Sequence, residues 1–292
     1  MGSQKSIYAV IKGSGSYIPP VVVKNSAFEN SVFMNEDGSV ITTPREEIIK
    51  KFEEITDIVE RRLAPDNILT SDMAAIEEAR SLGLEVHIST QMNVSNIRAL
   101  AFYARFADVV VLARELTLEQ IKTIAREVRS RNITGPSGTL VKLELFCHGA
   151  LCMAVSGKCY MSLHHYNKSA NRGACYQVCR RSYTVTDNET GEQMEVDNKY
   201  IMSPKDLCTV RFIDRILAAG IEILKIEGRA RSPEYVKTTA QVYSKAAQAV
   251  QSGTFTQQLA ADLEEQLKTV FNRGFWGGYY LGEPLGQWSE TY

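Results

Sequence analysis

An α/β fold built on a parallel sheet is what the sequence predicts, and three observations predict it. Strand and helix signals alternate from about residue 84 onward. Polar residues collect at the carboxyl ends of the strand segments. The composition, 44% apolar and 23% charged over 292 residues, is that of a globular chain able to bury a large core. Alternation of this kind implies parallel βαβ units, closed as a barrel or open as a doubly wound sheet.

The elements follow in order. Residues 1–83 lack the rhythm: a strand over Ile7–Lys12, then Gly13-Ser14-Gly15 and Tyr17-Ile18-Pro19-Pro20, an Asn/Glu/Asp-rich stretch, and an amphipathic helix over about Arg45–Glu54. Glu85–Thr90 reads as a strand and is followed by a helix near Asn96–Phe106. Ala107–Ala113 is a buried-strand run. Thr117 and Gln120 form a capping box that opens the next helix, and Leu143–Cys147 is a further strand. Ser203-Pro204 carries N-cap and N1 signals, which predict a helix running to Gly220. Ile221–Ile226 is another strand, Ser232-Pro233-Glu234 opens a long helix reaching about Gln251, and a last helix covers about Thr256–Phe271 before a Gly/aromatic tail over Gly274–Tyr280.

In parallel α/β folds functional residues gather where strands end. Four polar sets occupy those positions here: Thr90-Gln91-Met92-Asn93, Arg114-Glu115, His148-Gly149 and Glu227-Gly228-Arg229. They predict a shared pocket. Lys plus Arg is 33 against 34 Asp plus Glu, a net charge of −1, which excludes a globally basic nucleic-acid coat while allowing a local basic groove. No apolar run approaches the ~20 residues that span a bilayer. The first residues lack an apolar signal core, so a cytoplasmic protein is expected; Gly2 and Ser6 fit a loose acylation pattern that nothing else supports.

The six cysteines, Cys147, Cys152, Cys159, Cys175, Cys179 and Cys208, all fall in the region 147–208. A chain of this length builds its core without disulfide staples, so such a cluster suggests metal ligation or redox chemistry. Zinc favours paired C-x2–4-C knuckles, which only Cys175/Cys179 and, loosely, Cys147/Cys152 resemble. Iron–sulfur clusters accept wider, irregular spacing. Simple burial of thiols as small apolar groups is the third reading, and a Cys–His nucleophile pair at Cys147 or Cys152 with His148 is a fourth.

The segment from Glu144 to Ser162, ELFCHGALCMAVSGKCYMS, resembles the signature of the collagenase-like peptidase family, peptidase family U32. The resemblance continues through NRGACYQVCR at Asn171–Arg180, MSPKDLC at Met202–Cys208, KIEGR at Lys225–Arg229 and VFNRGF at Val270–Phe275. Upstream it includes HISTQMN at His87–Asn93 and VLAREL at Val111–Leu116. Members are called peptidases, but several are oxygen-independent hydroxylation proteins for tRNA, ribosomal RNA or ubiquinone precursors that carry a four-iron four-sulfur cluster. The resemblance implies Cys152, Cys159, Cys175 and Cys208 as cluster ligands, leaving Cys147 and Cys179 as structural thiols. Lys158, Arg172, Arg180 and Arg181 would then tune the cluster or hold an anionic substrate. Some members take the hydroxyl group from prephenate, a dianion suited to Arg114 and Arg229 at strand ends. His148, Glu115 and Glu227 complete the expected pocket. Among the branches, the sequence looks closest to the tRNA-uridine hydroxylation proteins, which implies an RNA partner. Peptide hydrolysis is the alternative, although neither HExxH nor GxSxG is present.

The first part of the chain resembles something else. Ile7–Asn25, Glu53–Arg62, Ala64–Asp66 and Thr70–Ala74 are similar, in order, to the start of a β-ketoacyl-acyl-carrier-protein synthase III. The expected organisation is a synthase-like segment over 1–75 followed by 76–292, a partial TIM-type (βα) barrel with a cysteine-rich insertion. The family's first barrel strands have no counterpart here, and many members continue past the position of Tyr292 into a small β domain. A barrel needs closure to bury its interior, so the expected barrel is incomplete, and an inactive composite fragment is a third functional reading.

Overall fold

A computed structural model describes residues 21–24, 39–56, 60–63, 67–170, 174–194, 202–228 and 231–283. The chain divides into two compact units, Gly15–Asn67 and a larger one running from Ile68. In the smaller unit β1 (Val21–Lys24) pairs antiparallel with β2 (Glu60–Leu63), Val21 opposite Leu63, and α1 spans Arg45–Thr56, where an amphipathic helix is expected. The expected strand at Ile7–Lys12 and the Gly13–Pro20 turns lie outside the described residues.

The larger unit begins with β3 (Asn67–Thr70) and α2 (Met73–Ser81), the latter capped by Asp72, whose carboxylate accepts the Ala75 N–H at 3.0 Å. Then come β4 (Glu85–Ile88), α3 (Ile97–Tyr103) and β5 (Val109–Val111). The helix α4 (Leu118–Ser130) follows, with the Thr117/Gln120 capping box formed in both directions, and then β6 (Lys142–Gly149). A long excursion after β6 holds α5 (Met161–Tyr166) and a small hairpin of β7 (Val185–Thr186) and β8 (Gln193–Met194). The chain returns as β9 (Asp206–Cys208), α6 (Ile213–Ala218), β10 (Ile223–Ile226), α7 (Pro233–Gln251), α8 (Gln257–Lys268) and β11 (Phe275–Trp276).

Most of these strands form one sheet in the order β11-β9-β6-β5-β4-β3, with β10 also paired to β6, off this path. Pairing is parallel for β4–β5, β5–β6, β10–β6 and β11–β9, and antiparallel for β9 on the end of β6. The fold is thus mixed α/β on a mostly parallel sheet. Among the described strands the path ends at β3 and β11 without joining. Both faces are covered, which is why β5 is buried throughout and seven of the eight β6 residues are buried. Ile88, Val110, Leu112 and Leu145 of the sheet region pack in one core with Ile121 of α4, Val242 and Tyr243 of α7 and Leu263 of α8. Each of these large side chains contributes roughly 1.5–3 kcal/mol by leaving water.

One expected element is corrected. The helix from Ser203-Pro204 to Gly220 is replaced by β9, a 3-10 turn over Val210–Phe212 and the short α6. The capping groups are occupied: the Ser203 hydroxyl and the Pro204 carbonyl both accept from the Arg180 guanidinium, at 2.9 and 2.6 Å. Asp206 instead donates its N–H to the Gly274 carbonyl at 2.9 Å and enters the sheet beside β11. Local helix signals lose to a sheet position that buries three consecutive residues.

Candidate functional site

The carboxyl end of β6 organises the site. Gly149 has φ +116°, and a Cβ there would sit 2.6 Å from the Glu227 carbonyl oxygen, so only glycine lets the two strand ends approach this closely. The approach is sealed by the Glu227 N–H donating to the His148 carbonyl at 2.8 Å. His148 itself is 1% exposed and ringed by Tyr235, Tyr243 and Phe275 at 5.5–5.9 Å between centroids. Burial, helped by the positive charge of Arg231, brings its pKa down to about 3, so the imidazole is neutral.

The Tyr243 hydroxyl ties this interior together. It donates to the Cys147 carbonyl at 2.8 Å, lies 3.4 Å from His148 Nδ1 and 3.8 Å from Cys208 Sγ, and accepts the Thr209 N–H at 3.0 Å. Cys147 is fully buried and its thiol is pushed well above the usual range by burial and by the neighbouring Cys208. Burial likewise pushes Cys208 up to about 12. A thiol that stays protonated beside an imidazole that resists protonation is not a nucleophile–base pair.

Before the carboxyl end of β6, Glu144 is buried between His87 Nδ1 at 3.0 Å and Lys225 Nζ at 2.9 Å. Burial raises its carboxyl pKa, but the hydrogen bond from His87 and the charge and hydrogen bond of Lys225 outweigh that and hold it below the usual carboxylate value. The three strands β4, β6 and β10 are thereby locked through one carboxylate.

The other thiols occupy the excursion. Cys152 and Cys175 are exposed, and Cys159 and Cys179 are half-buried. Cys152, Cys159 and Cys175 all act electrostatically on Cys179, whose thiol is raised first by burial and lowered by Arg180. Two contacts gather these segments. Arg180, 4% exposed and next to Cys179, donates from Nη2 to the carbonyl of Leu151, next to Cys152, at 2.6 Å. The Tyr176 N–H, next to Cys175, donates to the Ser162 hydroxyl three residues after Cys159 at 3.0 Å. Cys208 is buried at the point where the chain returns to the sheet, opposite His148; besides its own burial, the groups acting on it are the Val210 backbone, Tyr243, Glu264 and Arg211. Among the described residues no three His, Cys, Asp or Glu side chains sit close enough to hold one metal ion.

A pocket opens beside the excursion, lined by Arg114, Glu115, Leu151, Cys152, Ser156 and Tyr279. Arg114 donates to the Ala150 carbonyl at 3.2 Å and stacks 4.1 Å over the Phe146 ring, while its Nε has no hydrogen-bond partner among the described residues. The structure therefore joins Arg114, Glu115 and Cys152, and puts His148 and Cys208 in the interior with Glu227 at its edge. Arg229 and Arg172 lie outside the described residues. Lys158 and Arg181 are exposed. Tyr243 and Tyr279 went unpredicted, because a tyrosine in an apolar helix or tail reads as packing.

Over 225 residues, 77% of the chain and 54% of the relative, the sequence is 56% identical to a protein of Porphyromonas gingivalis named "Collagenase". It is 34% identical to the "tRNA hydroxylation protein P1" of Bacillus subtilis over 74% of the chain and 50% of the relative. It is also 34% identical to the "23S rRNA 5-hydroxycytidine C2501 synthase" of Escherichia coli, over 67% of the chain and 28% of the relative. The chain spans about half the length of the first two relatives. No solved structure matches. The family match covers residues 39–290 and starts ahead of the expected boundary at 75. The chain belongs to the family described as Peptidase family U32.

Proposed function

We propose that the chain belongs to an iron–sulfur-dependent RNA hydroxylation protein, with tRNA uridine as the substrate, and that its sheet is a portion of a TIM-type barrel. The observation that carries this reading is the pocket that puts the Arg114 guanidinium and the Glu115 carboxylate beside Cys152. Relatives named for tRNA and ribosomal RNA hydroxylation support the substrate class.

The donor set fits a four-iron four-sulfur cluster at three corners. Cys152, Cys159 and Cys175 are accessible thiols that share a neighbour, and a cubane gives each thiolate its own iron, so the four need not meet at one ion. The fourth corner falls to Cys208 by the family resemblance, with Cys179, on which the other three thiols act, as the second candidate. When bound, the cluster supplies one-electron chemistry at the pocket wall. Arg114, with an idle Nε, holds a carboxylate of a small hydroxyl donor of the prephenate kind, and its stacking on Phe146 fixes the guanidinium plane. Glu115 is exposed at the mouth and serves as a proton acceptor on the substrate side.

The test is anaerobic purification with iron and sulfide analysis, then incubation of the loaded protein with unmodified tRNA and prephenate. About four iron atoms, absorbance near 400 nm and one added oxygen on uridine are expected, with Arg114→Ala losing the product. Iron-free protein that cleaves gelatin would instead establish peptide hydrolysis, the reading favoured by the 56% identical relative's name. The buried, protonated Cys147 beside His148 weighs against a thiol peptidase.

A further inference from the structure

One charge cluster has no part in the proposed reaction. Asp206 in β9 is 1% exposed, and Arg273, from the loop before β11, is 7% exposed against it. The Arg273 N–H donates to Asp206 Oδ2 at 3.2 Å, and Nη1 lies 3.5 Å from Oδ1, an ion pair without a formed hydrogen bond. Arg231 Nη2 stands 3.9 Å from Oδ2. After its own burial, the groups acting on Arg273 are Arg180, Asp206 and Arg231, in that order.

Two guanidiniums thus share one carboxylate, and the charge of Arg180 bears on Arg273 as well. Arg180 spends its donors on the uncharged oxygens of Ser203, Pro204 and Leu151, so it brings charge without an anion of its own. Arg273 Nε and Nη1 have no hydrogen-bond partner among the described residues. Arg231 and Arg273 both lie against the Phe271 ring, at 4.2 and 4.9 Å from its centroid. Burying guanidinium donors unpaired, with like charges beside them, is costly. An oxyanion relieves the cost because two parallel N–H groups match its two oxygens.

We propose that Arg273 and Arg231 form a binding site for a small oxyanion, a carboxylate or phosphate group carried on a small molecule. Burial of Arg273 excludes the backbone of a polymer such as RNA from this site. The site is separate from the Arg114 pocket and does not depend on the hydroxylation reading.

The full chain is titrated by calorimetry and thermal melting with inorganic phosphate and with succinate, against sodium chloride at matched ionic strength. Saturable binding of about one anion per chain is expected, with a melting temperature above that in chloride. Phosphate alone assigns a phosphate-bearing ligand and succinate alone a carboxylate. Arg231→Gln weakens binding about tenfold or more, and Arg231→Lys, which keeps the charge and so preserves the fold, loses part of it. Absence of saturable binding of both anions to the unaltered chain overturns the site, as does unchanged affinity in both Arg231 variants.

Discussion

Cys147 and Cys152 are five residues apart and lead different lives. The first is an interior thiol third from the end of β6, beneath Tyr243 and near Cys208; the second follows the strand's end and is exposed at a pocket mouth. Strand backbone satisfies itself through the ladder, the Cys147 thiol donates to the Lys225 carbonyl of the neighbouring strand at 3.3 Å, and burial holds it protonated. Loop backbone needs other partners, and Arg180 provides one at Leu151 while adding positive charge near the thiols. The same residue type therefore splits into core filler and candidate ligand according to whether its backbone belongs to the sheet.

Alkylation gives the largest expected contrast between the two sets. In iron-free protein Cys152 and Cys175 react with iodoacetamide at once, whereas Cys147 and Cys208 react only in denaturant, read by peptide mass spectrometry. Equal labelling of Cys208 and Cys175 would erase the distinction. The fourth corner of the cluster sharpens it: if Cys179 holds it, Cys179→Ser lowers bound iron as far as Cys175→Ser does and Cys208→Ser does not. The reverse outcome gives that corner to Cys208.

Removing the clamp is next in size. Arg180→Met leaves the Leu151 and Pro204 carbonyls without their charged donor and is expected to cost roughly 3 kcal/mol in urea melts, while exposing Cys179 to alkylation. A loss within error would mean that the excursion is held by other contacts. The smallest effect belongs to the core. His148 has a folded pKa lowered to about 3 from 6.5, so the unfolded chain binds the extra proton, and stability falls as pH drops below 6.5 toward 3. The slope is about 1.4 kcal/mol per pH unit at most. Urea midpoints at pH 7 and 5 measure it, and His148→Gln should flatten it; an unchanged slope would show that other groups set the acid limit.

The fold was legible where apolar pattern and end signals agree. The Thr117 capping box and the Ser232-Pro233 start both sit where the sequence puts them, because each satisfies donors that the helix itself orphans. Ser203-Pro204 misled for the complementary reason: its capping groups answer a distant arginine, which no local window contains. The pocket residues Arg114 and Glu115 were legible as polar residues after a buried strand. The interior position of His148 was not, since only the pairing of β6 with β9 and β10 places two tyrosines and a phenylalanine around it.

That pairing has a topological consequence. His148 and Gly149 at the exit of β6 lie opposite Cys208 and Leu207 at the return, so the excursion between them leaves and re-enters the sheet through a single zipped doorway. A chain break at the Glu189–Gly191 turn, the tip of the β7–β8 hairpin, would leave both halves fastened to the sheet. The thiol-bearing stretch is in this sense a cartridge: its contents can be nicked, lengthened or exchanged while the frame that receives it stays shut.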